Sequence, residues 1–404
     1  MTATRRRRRP FTVVDLFSGG GGMSYGFHAH PAFAMAGAAD AQFGKPSSPA
    51  GSLACNSTYR LNMGFDPVSA DLSTTDPRTL RAMLGLRGSI DVLSACPPCT
   101  GFSRANSMNH VVDDQRNSLV TRVALYAEEL DPTVVVMENA RELLIGNFRQ
   151  HFDTLEDALH GLGYEVASSV SLLTAFGLPQ VRERALVVAV KRGLIPRTLD
   201  DLWEDFEVDG EAITVRRAIS HLPQLQAGRG SLQDPDHASP AFGSPTTRAR
   251  MEAIPRDGGS WRDLITAAPQ YLTPAMHRLI AARKLGNHPD VYGRMFWDRP
   301  APTIKRECGH VGNGRYAHPS QTRLCSLREM ALLNGFPETY RFGGRSLVNR
   351  YRHVGDAVPP LISYQIAHAV SWALTGVRPA PEDIVLEGTS LRPSDVRRSS
   401  EAAA

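Results

Sequence analysis

Five short runs of apolar and β-branched residues punctuate the first half of the chain: Thr12–Phe17, Ala34–Ala39, Asp91–Ala95, Thr133–Glu138 and Ala185–Val190. None alternates cleanly between apolar and polar, which is the pattern of parallel strands covered on both faces. Helical patterns lie between them, clearest from Arg116 to Leu130, where Leu119, Val123, Ala124, Ala127 and Leu130 recur at helical spacing. Strands alternating with helices predict an α/β fold built on a doubly wound, mostly parallel sheet. Such sheets bind ligands beyond the carboxyl ends of their strands, so the residues that follow each strand carry the functional information.

This regular texture covers residues 11–191. From 192 to 321 Gly, Pro, Arg and Asp become frequent and helical periodicity weakens, as in GRGSLQDPDHASPAFGSPTT, so a second, irregular domain is expected there. Regular pattern returns over 322–376. It includes Ser326–Asn334 and an apolar helical face of Leu361, Ile362, Gln365, Ile366, Ala369, Val370 and Ala373 that should pack back on the first domain. Residues 1–10, with the Arg5–Arg9 run, and 377–404, rich in Pro, Ser, Arg and Ala, read as disordered tails. The Arg5–Arg9 run also suits a sequence-independent clamp on phosphates. A length of 404 residues fits one large domain and one smaller one. No apolar stretch approaches the roughly 20 residues of a membrane helix, and MTATRRRRRP has no apolar signal core, so a cytoplasmic location is expected. Five scattered cysteines argue against a disulfide framework. A net charge of +4 permits a nucleic-acid partner without requiring one.

Chemistry-bearing residues follow the strands. DLFSGGGGMSYGF places Gly19 to Gly22 where backbone turns tightly and approaches a ligand closely. It is not a phosphate loop, since no G-K-[ST] follows. Asp40, at a strand end, suits either the two hydroxyls of a ribose or an ordinary turn. ACPPCTGFSRAN offers two readings: Cys96 and Cys99 as a redox dithiol or half of a zinc site, or Cys99 alone as a nucleophile on a rigid Pro-Pro turn. Cys308, His310, His318 and Cys325 are close in sequence but match no usual zinc spacing. MENARELL sets Glu138 and Asn139 at another strand end, facing the cleft or capping the surface. In LPQVRERALVVAV, Arg182 and Arg184 share one face of an extended segment, either solvated or meeting an anion or carbonyl.

Taken together, these residues resemble the C5-cytosine DNA methyltransferase family, in order and spacing, across the chain except its tails and middle region. The family's D-x-F-x-G-x-G corresponds to Asp15, Phe17, Gly19 and Gly21; its P-C motif to Pro98 and Cys99; its E-N pair to Glu138 and Asn139. Its Q-x-R-x-R corresponds to Gln180, Arg182 and Arg184, and R-E-x-x-x-L-x-G-F-P to Arg328, Glu329, Leu333, Gly335, Phe336 and Pro337. G-N-x-V-P-P becomes Gly355, Asp356, Val358, Pro359 and Pro360. Two residues depart: Thr100 stands where Gln is usual, and Asp356 where Asn is usual. The aspartate brings a carboxylate to the family's cofactor site, weakening binding or demanding a local compensating cation.

The resemblance implies a Rossmann-like S-adenosylmethionine-dependent methyltransferase acting on cytosine C5 in double-stranded DNA. Cys99 would add to C6, Glu138 would hold N3 and the exocyclic amine, Arg184 would hold O2 with Arg182 in support, and Asn139 would complete the catalytic set. Because none of this can happen in a stacked duplex, the base would be flipped out. In the cofactor site, Phe17 would stack on adenine, Asp40 would bind ribose, and Asp71 would accept from the adenine amine. Leu119 would close the pocket, beside Gly19, Gly21, Gly22, Pro98 and Asp356. Residues 192–321 would be a target-recognition domain, with Arg216, Arg217, Arg229, Arg248, Arg250, Arg256, Arg262, Trp203 and Trp261 as its material. A monomer with a cognate restriction or defence partner fits this reading. The alternatives are a tRNA cytosine methyltransferase and a catalytically silent DNA-binding relative; the size of the middle region favours DNA.

Overall fold

A computed structural model of the chain describes residues 9–43, 53–98, 113–285 and 290–399. Of the Arg5–Arg9 run, only Arg9 is among them. Seven strands form the central sheet: β1 (Phe11–Leu16), β2 (Phe33–Asp40), β3 (Val68–Ser69), β4 (Val92–Ala95), β5 (Val134–Ala140), β6 (Tyr164–Leu172) and β7 (Glu183–Lys191). Their order is β3-β2-β1-β4-β5-β7-β6. The first five run parallel, while β7 is antiparallel to both β5 and β6. The expected sheet is therefore present, with two strands the apolar runs did not reveal. β6 reads YEVASSVSL and lies half-exposed at the sheet edge, so it needs little apolar content. The reversal of β7 matters more, because its amino end lies beside the carboxyl end of β5, with Arg184 paired to Ala140 and Ala185 to Asn139.

Helices cover both faces. The Leu119–Leu130 helix buries Val120, Val123, Ala124, Tyr126, Ala127 and Leu130. On the other face, the Pro360–Thr375 helix packs across the Gly22–Ala29 helix so closely that a Cβ on Gly26 would lie 2.1 Å from the Ser363 backbone. The apolar side chains of 192–321 do not form a core of their own. Val215, Ile219, Met251, Met295 and Ile304 share one cluster with Leu327, Met330 and Leu333 of the Leu327–Leu333 helix, with Tyr351 and Val354, and with Tyr59 and Met63.

The C-terminal stretch is not the loose tail its composition predicts. Ile384, Leu386 and Leu391 are buried in the cluster under β5 and β7, and Leu391 lies against Gly177. Beyond them β9 (Val396–Arg398) pairs antiparallel with β8 (Phe206–Val208), and Asp395 pairs with Arg217 at 3.2 Å. Composition averages over a segment, whereas these few apolar residues each fill one site on the sheet's covering layer. Trp203 and Trp261 are likewise core residues, 5% and 1% exposed, so they do not supply an exposed recognition surface.

Candidate active site

The loop after β1 turns at Phe17, which adopts φ 59°, and again at Gly19 (φ 52°) and Gly21 (φ 94°). A left-handed phenylalanine is strained and persists only where its surroundings hold it. Here Ser18 N–H donates to the Ala39 carbonyl and Gly19 N–H to Asp40 Oδ2 at 2.9 Å, tying the loop to the end of β2. The other carboxylate oxygen of Asp40 accepts from Gln42 N–H at 2.6 Å and from the Cys55 thiol at 3.3 Å. Gly22 meets the opposite wall: a Cβ there would lie 2.3 Å from the Val358 carbonyl and 2.9 Å from Ala357 Cβ. Among the described residues, Gly19 faces open space and the buried hydroxyl of Ser18 has no hydrogen-bond partner.

Asp71 follows β3, next to the end of β2, and its Oδ1 accepts from the backbone and hydroxyl of Ser73. Leu119 opens its helix half-buried. These residues fit an adenosine-bearing cofactor. Among the described residues, the cradle is open at a glycine whose positive φ would strain a larger residue, a buried hydroxyl is unsatisfied, and carboxylates stand at the ends of adjacent strands.

Beneath the loop, Asp15 is fully buried and accepts hydrogen bonds from Ser24 of the first helix and, at 2.8 Å, from Ser94 of β4. Burial pushes its carboxyl up to about 7, with Asp40 adding to the rise and both serines opposing it.

The second half of the site is built from β4, β5 and β7. Cys99 and Thr100 lie outside the described residues, as does the rest of the segment through 112. The strand leading to them is described through Pro98, which is exposed, and Pro97, which is buried. Asn139 Nδ2 donates to the Pro97 carbonyl at 3.0 Å, and its Oδ1 accepts from Ala140 N–H. Asn139 thus anchors the chain at Pro97, two residues before Cys99 in the sequence. Glu138, 7% exposed, forms an ion pair with Arg184, Nε to Oε1 at 2.8 Å. Apart from this ion pair, Glu138 Oε1 is buried with no hydrogen-bond partner among the described residues.

Arg182 and Arg184 are alternate residues yet make different contacts. Arg182 is buried and donates to the carbonyls of Ile304 (3.2 Å) and Ala357 (3.1 Å), joining a middle-region segment to the wall of the glycine loop. Gln180 reinforces the same junction through Ile304 N–H and Asn334. Asp356 ends the Leu347–Asp356 helix and pairs with Arg306 at 2.9 Å. Arg306 thus sets a cation beside this aspartate, and 50 residues of separation hide it from any motif.

Other sequence candidates have different roles. Cys308 donates to the Tyr351 carbonyl, and His318 Nδ1 accepts from Ser320 and Gln321 N–H, so these side chains are committed elsewhere. Among the described residues, no group of three His, Cys, Asp or Glu is arranged to hold a metal. Of the middle-region arginines, Arg216 pairs with Asp298, Arg217 with Asp395, and Arg250 is buried on the Tyr271 carbonyl. Arg229, Arg248 and Arg256 stay exposed.

Residues 11–372 match the C-5 cytosine-specific DNA methylase family. The chain belongs to that family. It is 31% identical over 371 residues to the Type II methylase M.HgiDII of Herpetosiphon aurantiacus, covering 90% of this chain and 96% of the relative. It is 30% identical over 361 residues to the Type II methyltransferase M1.HphI of Haemophilus parahaemolyticus, covering 89% and 86%. Among solved structures, the S. pombe Dnmt2 methyltransferase superposes with a TM-score of 0.54 at 16% identity, over 89% of this chain and 98% of that one. At that identity the likeness speaks for the methylase fold alone. No helix among the described residues is long and apolar enough to cross a membrane.

Proposed function

We infer that the chain is a DNA (cytosine-5)-methyltransferase that modifies a flipped cytosine in duplex DNA through a covalent bond from Cys99. The observation that carries the site assignment is the convergence of Glu138, Arg184 and the Asn139-held Pro97 at one edge of the sheet. Cytosine C5 is a weak nucleophile, so the ring must first gain electrons. The Cys99 thiolate adds to C6, and the displaced π electrons make C5 nucleophilic while charge builds at N3 and O2. Glu138 accepts from the exocyclic amine and, in its acid form, donates its proton to N3 as charge builds there, and Arg184, already beside it, neutralises the charge at O2. Asn139 keeps the Pro97 carbonyl in place and with it the approach of Cys99. Once C5 is methylated, loss of its proton returns the electrons to the ring and expels Cys99.

S-adenosylmethionine, the donor proposed for this site, supplies an electrophilic methyl group. Phe17, Gly19, Gly21, Gly22, Asp40, Asp71, Pro98, Leu119 and Asp356 would hold it. Arg182 supports by tying the Ile304 segment to the wall of the glycine loop rather than by touching the base. Residues 192–321 are proposed to read the target sequence through exposed groups such as Arg229, Arg248 and Arg256. A monomer in the cytoplasm, working beside a cognate restriction enzyme, completes the reading.

A fluorine at C5 cannot leave as a proton does. Duplex DNA carrying 5-fluorocytosine should therefore trap the protein as a thioether that survives denaturation, only with S-adenosylmethionine present and never in Cys99→Ser. Trapping on fluorinated RNA but not on DNA of mixed sequence would reassign the polymer. Failure on both with DNA binding intact would leave a silent binding protein.

A further inference from the structure

Three segments distant in sequence meet beside the glycine loop. The Ile304–Glu307 stretch, the Gly355–Val358 turn and Arg182 are joined by the two guanidinium bonds of Arg182, one to each segment. The packing is close: a Cβ on Gly355 would lie 2.3 Å from the Lys305 carbonyl, and Val358 presses its own carbonyl on Gly22. Asp356 therefore sits two residues from a backbone contact with the donor loop. Its carboxylate pairs with Arg306 at 2.9 Å, and the side chains remain 35% and 24% exposed. Beside them Arg352 pairs with Glu307 at 3.1 Å, so each acid in this cluster has its own arginine.

We propose that Arg306 and Asp356 are a charge-balanced pair that sets how the protein discriminates the methyl donor from its demethylated product. This rests on the donor site proposed above. S-adenosylmethionine and S-adenosylhomocysteine carry the same adenosine, carboxylate and ammonium and differ by the methyl group and the sulfonium charge it creates. An unpaired charge near the loop acts on their common groups equally, and those effects cancel in the ratio of the two affinities. What remains is its action on the sulfonium. With Asp356 neutralised by Arg306, that action is small. With Arg306 removed, the Asp356 carboxyl, which burial pushes up to about 6 even beside Arg306, keeps Arg182 and Arg352 as its neighbouring cations and, at a pH where it is ionised, favours the cationic donor over the neutral product. With Asp356 removed, the bare guanidinium favours the product, and the enzyme becomes more sensitive to inhibition by what it makes.

The test is calorimetric titration, at pH 8 so that Asp356 is ionised, of S-adenosylmethionine and S-adenosylhomocysteine into the full-length protein and into Arg306→Gln, Asp356→Asn, the double variant and Arg306→Lys. A unit charge about 10 Å away near a protein surface, screened by salt, corresponds to roughly a threefold change in the product-to-donor ratio of Kd. Arg306→Gln should raise the ratio about threefold and Asp356→Asn should lower it by a similar factor. The double variant and Arg306→Lys should return it to the wild-type value. Misfolding cannot produce opposite shifts that cancel. Ratios that stay constant, or that move in the same direction in both single variants, overturn the proposal while leaving the donor site intact. A wild-type protein that binds neither molecule would instead overturn the donor-site reading on which it stands.

Discussion

Replacing Asp15 with asparagine should flatten the part of the stability–pH profile that this one buried group controls. Asp15 is fully buried, bonded to Ser24 and Ser94, and its carboxyl is pushed up from 3.8 to about 7. Between those values the folded protein holds a proton that the unfolded chain releases, so stability must fall as pH rises through this window. Below 3.8 both states are protonated, and above about 7 both are ionised, with the loss complete. At about 1.4 kcal/mol per unit, the interval from pH 5 to pH 8 accounts for a loss of about 2.5 kcal/mol.

Asparagine does not titrate, and it can donate to one serine and accept from the other. The stability difference between Asp15→Asn and wild type should therefore grow in the variant's favour by about 2.5 kcal/mol from pH 5 to pH 8. Urea unfolding of both proteins at each pH measures it, since the titrations of all other groups are common to the pair and cancel. A difference that stays constant within about 0.5 kcal/mol across this range would show that Asp15 is ionised throughout and that the two serines outweigh burial.

Two further predictions address the site and the chain's end. Asn139→Ala removes the bond to the Pro97 carbonyl and leaves a buried acceptor unsatisfied, at a cost of about 1–3 kcal/mol; covalent trapping on 5-fluorocytosine DNA should slow roughly ten- to a hundredfold, with S-adenosylhomocysteine affinity unchanged, and trapping at the wild-type rate would remove Asn139 from the positioning role. Leu391→Ala opens a cavity beside Gly177 and should destabilise the protein by about 2–4 kcal/mol in urea; a loss below about 0.5 kcal/mol would mean that the C-terminal segment is not part of the folded core.

What the sequence determined by itself is the local half of this protein. Apolar runs separated by helical periods identify five of the seven strands of the sheet, because strands buried on two faces must be apolar throughout. The residues at or just past the ends of those strands, from Phe17 to Gly22, at Asp40 and at Glu138–Asn139, gather at one edge of the sheet because parallel strands deliver their carboxyl ends there. Tertiary structure alone decided what those residues meet. The arginines stand at the start of their strand, Arg182 just before it and Arg184 as its second residue, rather than at its end because β7 runs against its neighbours, and strand direction leaves no trace in an apolar run. Trp203 and Trp261 are core residues although their surroundings in sequence are polar, and Ile384, Leu386 and Leu391 are buried although theirs are tail-like. Arg306 could not be paired with Asp356, nor Asn139 with Pro97, from any spacing. Periodicity records which face of an element is covered; the partner covering it is chosen by packing between segments that can lie anywhere along the chain.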